Sequence, residues 1–227
     1  MAGRTALPSR RAAPAAPFSI DVVLLTVRER RLYLLAQAAG SGRKRTAALP
    51  WGSPSRSETL DAAAARIARS AAGGKVDWIE QAGAFADGTA HPGGALLSVC
   101  YVAVIAWTDV ESPWSWVETH PLPPLEERQR LMTSAALAAV RTRLEQSPLA
   151  FSMLPRVFTL SELQQAYETV LAKRLHKASF RRALQAAFLV EPTGEWRGEG
   201  RGRPAQLYRF APRRRKGARR GVRLDLL

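Results

Sequence analysis

The sequence predicts an α+β protein of two domains: an α/β sandwich over residues 18–147, then a smaller head of two helices and a hairpin over residues 148–212. Three observations predict this. Apolar, β-branched runs alternate with two Ala-rich helical stretches in the first 150 residues. Pro148 and Pro155 then interrupt the helical pattern. The charge also changes there: residues 151–227 hold 17 Lys and Arg against 6 Asp and Glu, whereas residues 1–150 hold 17 against 13. A chain of 227 residues, 46% hydrophobic and 23% charged, can bury a core in each part. Its formal charge of +15 calls for a polyanionic partner, because cations that neutralise phosphates release condensed counterions. Charge alone does not separate nucleic acid from an anionic membrane.

Residues 1–17 are rich in Ala, Pro and Arg without periodicity and read as a disordered basic arm. Phe18 to Val27 and Arg31 to Ala38 pair as a hairpin about the tight turn Arg28-Glu29-Arg30. A Gly- and Arg-rich loop, Gly40 to Thr46, follows. Ser57 to Ala72 has helical composition and ends at Gly73-Gly74, suited to a C-cap. Strands return at Asp77 to Ala86, Ala95 to Trp107 and Trp114 to Glu118. Leu125 to Glu145 is an Ala- and Leu-rich helix with Leu137, Val140 and Leu144 on one face. The order β, β, α, β, β, β, α describes the sandwich.

The apolar run Ala95 to Trp107 is short of the roughly 20 residues that span a bilayer, and the Arg-rich start lacks the apolar stretch of a signal peptide, so a cytoplasmic protein without a membrane partner is expected. Cys100, the one cysteine, cannot form an internal disulfide. His91, His120 and His176 have no partner at metal-ligand spacing, so they are assigned to loops or the surface, and neither metal nor cofactor is expected.

In the head, Phe158-Thr159-Leu160-Ser161-Glu162-Leu163 starts a helix: Thr159 is the N-cap, Glu162 closes a capping box, and Phe158 and Leu163 form a hydrophobic staple. Leu163, Tyr167 and Leu171 give this helix one apolar face. After the connection Ala172 to Leu175, a second helix from Lys177 to Phe188 directs Phe180, Leu184, Ala187 and Phe188 to the core. Lys177, Arg181 and Gln185 recur at four-residue spacing on another face, with Ser179 and Arg182 nearby, and these residue types reach phosphates and purine edges. Leu189-Val190-Glu191, a loop from Thr193 to Arg203 and a strand from Ala205 to Phe210 complete a basic hairpin, or wing. Arg201 and Arg203, flanked by glycines, suit a groove or the phosphates. The fold is therefore an α/β/α sandwich followed by a winged helix-turn-helix that binds double-stranded DNA, with residues 213–227 as a basic tail.

In the sandwich, Gly52, five residues, Glu58, seven residues, Arg66 and later Gly73 resemble the Nudix box. In that family the box glutamates hold divalent cations for diphosphate hydrolysis, chemistry that needs hard oxygen ligands converging from one helix face. Here Ile67 follows Arg66, and Ser70 and Ala71 stand where the box has its Glu pair. Glu58 and Asp61 are the only acids of the segment. The metal site is dismantled, and the protein is not expected to be an enzyme. The alternative is a divergent Nudix hydrolase of nucleoside diphosphate derivatives that uses Asp87, Glu118, Glu126 or Glu127.

Both halves together resemble the Nudix-related transcriptional regulator (NrtR) family. The likeness lies in Phe158-Thr159-Leu160-Ser161-Glu162-Leu163-Gln164, Tyr167-Glu168, Phe180-Arg181-Arg182, Arg203-Pro204-Ala205 and Leu207-Tyr208-Arg209-Phe210. It implies a homodimeric regulator of NAD-related genes whose Nudix-like domain senses a nucleotide or sugar phosphate, ADP-ribose or a relative of it. Trp51, Gly52, Glu58 and Arg66 would line the ligand site, with Trp51 standing where glycine commonly precedes the box.

Overall fold

The computed structural model describes residues 18–39, 46–86, 88, 91–198 and 204–211. Strands β1 (Phe18–Arg28) and β2 (Arg31–Ala39) form the expected hairpin. Glu29 and Arg30 both take positive φ, 50° and 64°, the backbone whose twist matches a two-residue hairpin. Two short strands that the sequence reading missed follow, β3 (Thr46–Ala48) and β4 (Trp51–Gly52). Three and two residues are too few for alternation to register. Helix α1 (Leu60–Ala72) starts later than composition indicated, because Thr59 caps it by accepting from the Ala62 amide. It ends at Gly73, whose φ of 66° is left-handed. Strands β5 (Trp78–Phe85), β6 (Leu97–Val104) and β7 (Trp114–Glu118) and helix α2 (Glu127–Gln146) complete the sandwich.

The mixed sheet runs β3-β2-β1-β6-β5, with β4 beside β1 and β7 beside β2. β1 and β6 pair in parallel at its centre and are buried on both faces, which is why they read as continuous apolar runs. Ile20, Val22 and Leu24 face α1, whose inner side is Ala63, Ala64, Ile67, Ala68, Ala71 and Ala72. Val23 and Leu25 turn to the other side, with Met132, Ala136, Val140 and Leu144 of α2. Leu137, expected on that face, is only partly buried.

Residues 149–153 form a 3-10 helix with Leu149, Ala150, Phe151 and Met153 buried. They join the same core as the α2 face of the sandwich and the inner residues of the head, so the chain has no exposed linker there. Arg141 of α2 also donates to the Val170 carbonyl, 3.0 Å away.

The head comprises β8 (Val157–Thr159), α3 (Leu160–Leu171), α4 (Lys177–Ala186), β9 (Val190–Arg197) and β10 (Ala205–Phe210). The capping box is present: Glu162 N–H donates to Thr159 Oγ1 at 3.1 Å, and Thr159 N–H donates to the Glu162 carboxylate at 2.6 Å. Leu163, Tyr167, Phe180 and Leu184 are buried as expected. Phe188 is not: α4 stops at Ala186, Phe188 takes a φ of 52° that turns the chain into β9, and its ring is 45% exposed. The residues expected to loop from Thr193 continue as strand to Arg197, and β8 adds a third strand, in the order β8-β10-β9. Among the described residues no helix is long and apolar enough to cross a membrane.

Candidate functional site

The candidate DNA-facing side of the head is built on α4. Phe180 and Leu184 anchor the helix inward, with the Phe180 ring edge-on to Tyr167 at 5.5 Å. That anchoring turns Lys177, Ser179, Arg181, Arg182 and Gln185 outward, and all five are exposed. Ser179 Oγ lies 3.2 Å from His176 Nδ1 at the helix start. Among the described residues neither Lys177, Arg181 nor Arg182 has an ion pair, so their charge faces solvent. Lys177 and Arg181 also line a groove of about 440 Å³ between α4, the start of α3 and the wing, together with Ser161, Trp196, Gln206 and Tyr208. The wing is tied to α3 by Arg197, which donates to the Glu162 carboxylate at 2.8 Å. Arg201, Arg203, the basic arm and the basic tail lie outside the described residues.

In the sandwich the four expected ligand residues divide: Gly52 lies against Ile67 of α1, Glu58 and Arg66 are occupied with each other, and Trp51 lies against His91 and Gly93. Arg66 donates to both Glu58 oxygens, at 2.9 and 2.8 Å, and to the Ser53 carbonyl at 3.0 Å. The Ser55 amide donates to the same carboxylate at 3.0 Å. The Arg66 hydrogen bonds, then the Ser55 amide, hold the Glu58 carboxyl down at about 2. This pair ties the 53–58 loop to the helix. Asp61 accepts from the Tyr101 hydroxyl at 2.6 Å. Burial, then the Asp61 carboxylate, pushes the Tyr101 phenol up.

Ile67 and Ala71 are buried against the sheet, and a Cβ added at Gly52 would lie 3.3 Å from Ile67 Cδ1. Of the four box positions that carry glutamate, 58, 67, 70 and 71, only Glu58 remains; apolar packing fills two of the three replaced positions, while Ser70 is exposed. The other candidate acids are dispersed: Glu118 pairs with Arg31, and Glu127 with Arg130 at 3.1 Å. Glu126 is the N-cap residue of α2, and Asp87 lies outside the described residues. Among the described residues no three His, Cys, Asp or Glu side chains cluster to hold a metal ion.

His91 lies in a loop, one of the two placements expected for it, but the surface alternative does not hold. Its side chain is fully buried. The Gly93 amide donates to Nδ1 at 2.9 Å, which leaves Nε2 to donate to Asp21 Oδ1 at 3.0 Å. Asp21 also accepts from Ser19 at 2.7 Å and from Gln129 Nε2 at 3.0 Å, and Gln129 Oε1 accepts from the Leu49 amide at 3.1 Å. Arg128, also buried, donates to the Ala95 carbonyl at 2.8 Å. Such a network is satisfied internally, as burial requires. Above it stands Trp51, paired to Asp21 across the strands, edge-on to the His91 ring at 5.0 Å and 37% exposed. A lone histidine carries no sequence signal of partners 70 residues away, so spacing could not have found this site.

The geometry is matched by comparison with known proteins. Residues 150–210 match the family model of the NrtR DNA-binding winged helix domain. The ADPR responsive transcriptional repressor NtrR of Acinetobacter baylyi is 29% identical over 209 residues, covering 87% of this chain and 83% of that protein. The crystal structure of Shewanella oneidensis NrtR complexed with a 27mer DNA superposes with a TM-score of 0.74 at 26% identity, over 87% of this chain and 94% of that one. A MutT/nudix family protein from Enterococcus faecalis shares the fold, with a TM-score of 0.66 at 18% identity over 89% of this chain and 90% of that one. Residues 150–210 are thus a winged helix of the NrtR DNA-binding type, and the similarity to NrtR proteins continues through the Nudix-like sandwich.

Proposed function

We propose that the protein is a DNA-binding transcriptional regulator whose Nudix-like domain senses a nucleotide and does not hydrolyse it. One observation carries the reading: the outward face of α4 presents Lys177, Arg181 and Arg182 without ion pairs, on a scaffold whose relatives include a DNA-bound NrtR. Unpaired cations on a helix that fits the major groove gain most by neutralising phosphates and reading guanine edges. In its active form the protein is a homodimer whose two heads read two half-sites. On the family resemblance the genes controlled are NAD-related.

The sensing half follows from the chemistry of its box. Divalent cations require several converging hard oxygen donors, and three of the four glutamate positions of the box hold Ile67, Ser70 and Ala71. Glu58 is held by Arg66, and Asp61 by Tyr101. These residues do not fit a catalytic cation. The named relative responds to ADP-ribose, and ADP-ribose or a related nucleotide is the effector inferred here. Its leverage is its differential affinity for the DNA-competent and DNA-released arrangements of the heads.

Two experiments test this. Titration of the protein with duplex from its own upstream region and with random duplex, across a salt series, is expected to give tighter, salt-sensitive binding to the former, released by ADP-ribose. Equal affinity for both duplexes would sink the regulator reading. Incubation of ADP-ribose with Mg²⁺ or Mn²⁺ is expected to give no turnover; hydrolysis that disappears in Glu58→Gln would make the protein an enzyme.

A further inference from the structure

Trp196 is 56% exposed, and among the exposed apolar side chains of the described head it is the largest. More than half of this side chain is left out of the core, and an exposed aromatic among cations is a common composition for a binding hot spot. Its surroundings are specific. Trp196 stands opposite Gln206 in the β9–β10 ladder, and directly opposed residues share one face of a sheet. On that face Gln206 accepts from the Tyr208 hydroxyl at 3.0 Å. The wall across the groove is Lys177 and Arg181 of α4, with Ser161 at the start of α3. Arg197, the next residue, is paired with Glu162 of α3, which ties the strand carrying the indole to that helix.

The two sides of the groove therefore offer different chemistry. One presents two cations without ion pairs, and the other an apolar aromatic surface. A nucleic-acid backbone alternates in the same way, with anionic phosphates separated by largely apolar deoxyribose rings. We infer that this groove is a backbone-binding site in which Trp196 covers a deoxyribose while Lys177 and Arg181 meet the flanking phosphates. Trp196 thus belongs to the DNA-contacting set, although no sequence pattern singles it out. Its role is to set how deeply the duplex seats between α4 and the wing. The inference rests on the DNA-binding reading above.

The two sides respond differently to salt, which makes the assignment testable. A cation on a phosphate adds about 0.9 to the slope of log affinity against log salt concentration, and an apolar contact to a sugar adds none. The full-length protein, Trp196→Ala, Trp196→Phe and Lys177→Ala would be titrated with upstream and random duplex from 50 to 300 mM salt, with thermal melting confirming the fold. Trp196→Ala is expected to lose about tenfold in affinity on both duplexes with an unchanged slope, and Trp196→Phe to recover most of that loss. Lys177→Ala is expected to lower the slope by about one. A Trp196→Ala protein that binds within twofold of the parent, or loses affinity on one sequence alone, overturns the sugar contact. If the parent itself fails to bind duplex, the regulator reading fails instead, so the two failures are distinguishable.

Discussion

The guanidinium of Arg66 clasps the carboxylate of Glu58 through two hydrogen bonds, of 2.9 and 2.8 Å, across eight residues of chain. Because Glu58 titrates near 2 in the folded protein, against about 4.5 when free, the clasp contributes stability that is fully present above about pH 5. It is lost as pH falls through 2, since only the unfolded chain takes up a proton between those values. Glu58→Gln should therefore melt below the parent at neutral pH, with the difference closing between about pH 5 and pH 2. Melting curves of both proteins across that range check it. A gap that stays constant with pH would mean that the pair contributes no charge-dependent stability.

Gly93 lies against the Trp51 indole so closely that an added Cβ would sit 2.3 Å from the ring. Gly93→Ala must move either the indole or the His91 loop, and overpacking of this kind costs about 1–3 kcal/mol. In a Trp51→Ala background the same change should cost much less, and a double-mutant cycle by denaturant unfolding measures the coupling. Additive effects would show that Trp51 is not held by this loop.

Thr159 supplies one half of the capping box. Thr159→Ala should cost about 1 kcal/mol, which is a fall of about 2–4 °C in Tm for a chain of this length. Calorimetry reads it directly. Thr159→Ser, which keeps the oxygen, should restore most of the loss.

Tyr167 is buried, and its hydroxyl has no hydrogen-bond partner among the described residues. Burial pushes its phenol up, so it stays neutral and still carries the cost of desolvation. Tyr167→Phe keeps the ring against Phe180 and removes the orphaned group. The expected result is a gain of about 1 kcal/mol in unfolding free energy, and a loss would reveal a partner for the hydroxyl.

The head was more legible in the sequence than the candidate site of the sandwich. Its signals are local: the capping box lies within four residues, and the α4 stripe and the Phe180–Leu184 anchor within nine. Phe188 was misplaced because helical periodicity does not register a left-handed residue that ends the helix early. In the sandwich the spacing from Gly52 to Gly73 located the box, and the surviving acids could be counted. What spacing could not convey is that Glu58 and Arg66 hold each other, or that Asp21, His91 and Gln129 converge. Those contacts are set by strand pairing and by the packing of α2, between residues eight to more than 100 positions apart.

The segment 149–153, with Phe151 stacked on Phe210 of β10 at 4.4 Å, gives the two domains one shared interior. Head and sandwich should therefore melt in a single cooperative transition, with no temperature at which one is folded and the other is not. A regulator built this way cannot signal by letting its heads drift on a tether. For the regulator proposed above, the choices are a few discrete packings of one stiff body, and an effector would act by changing which of them is occupied.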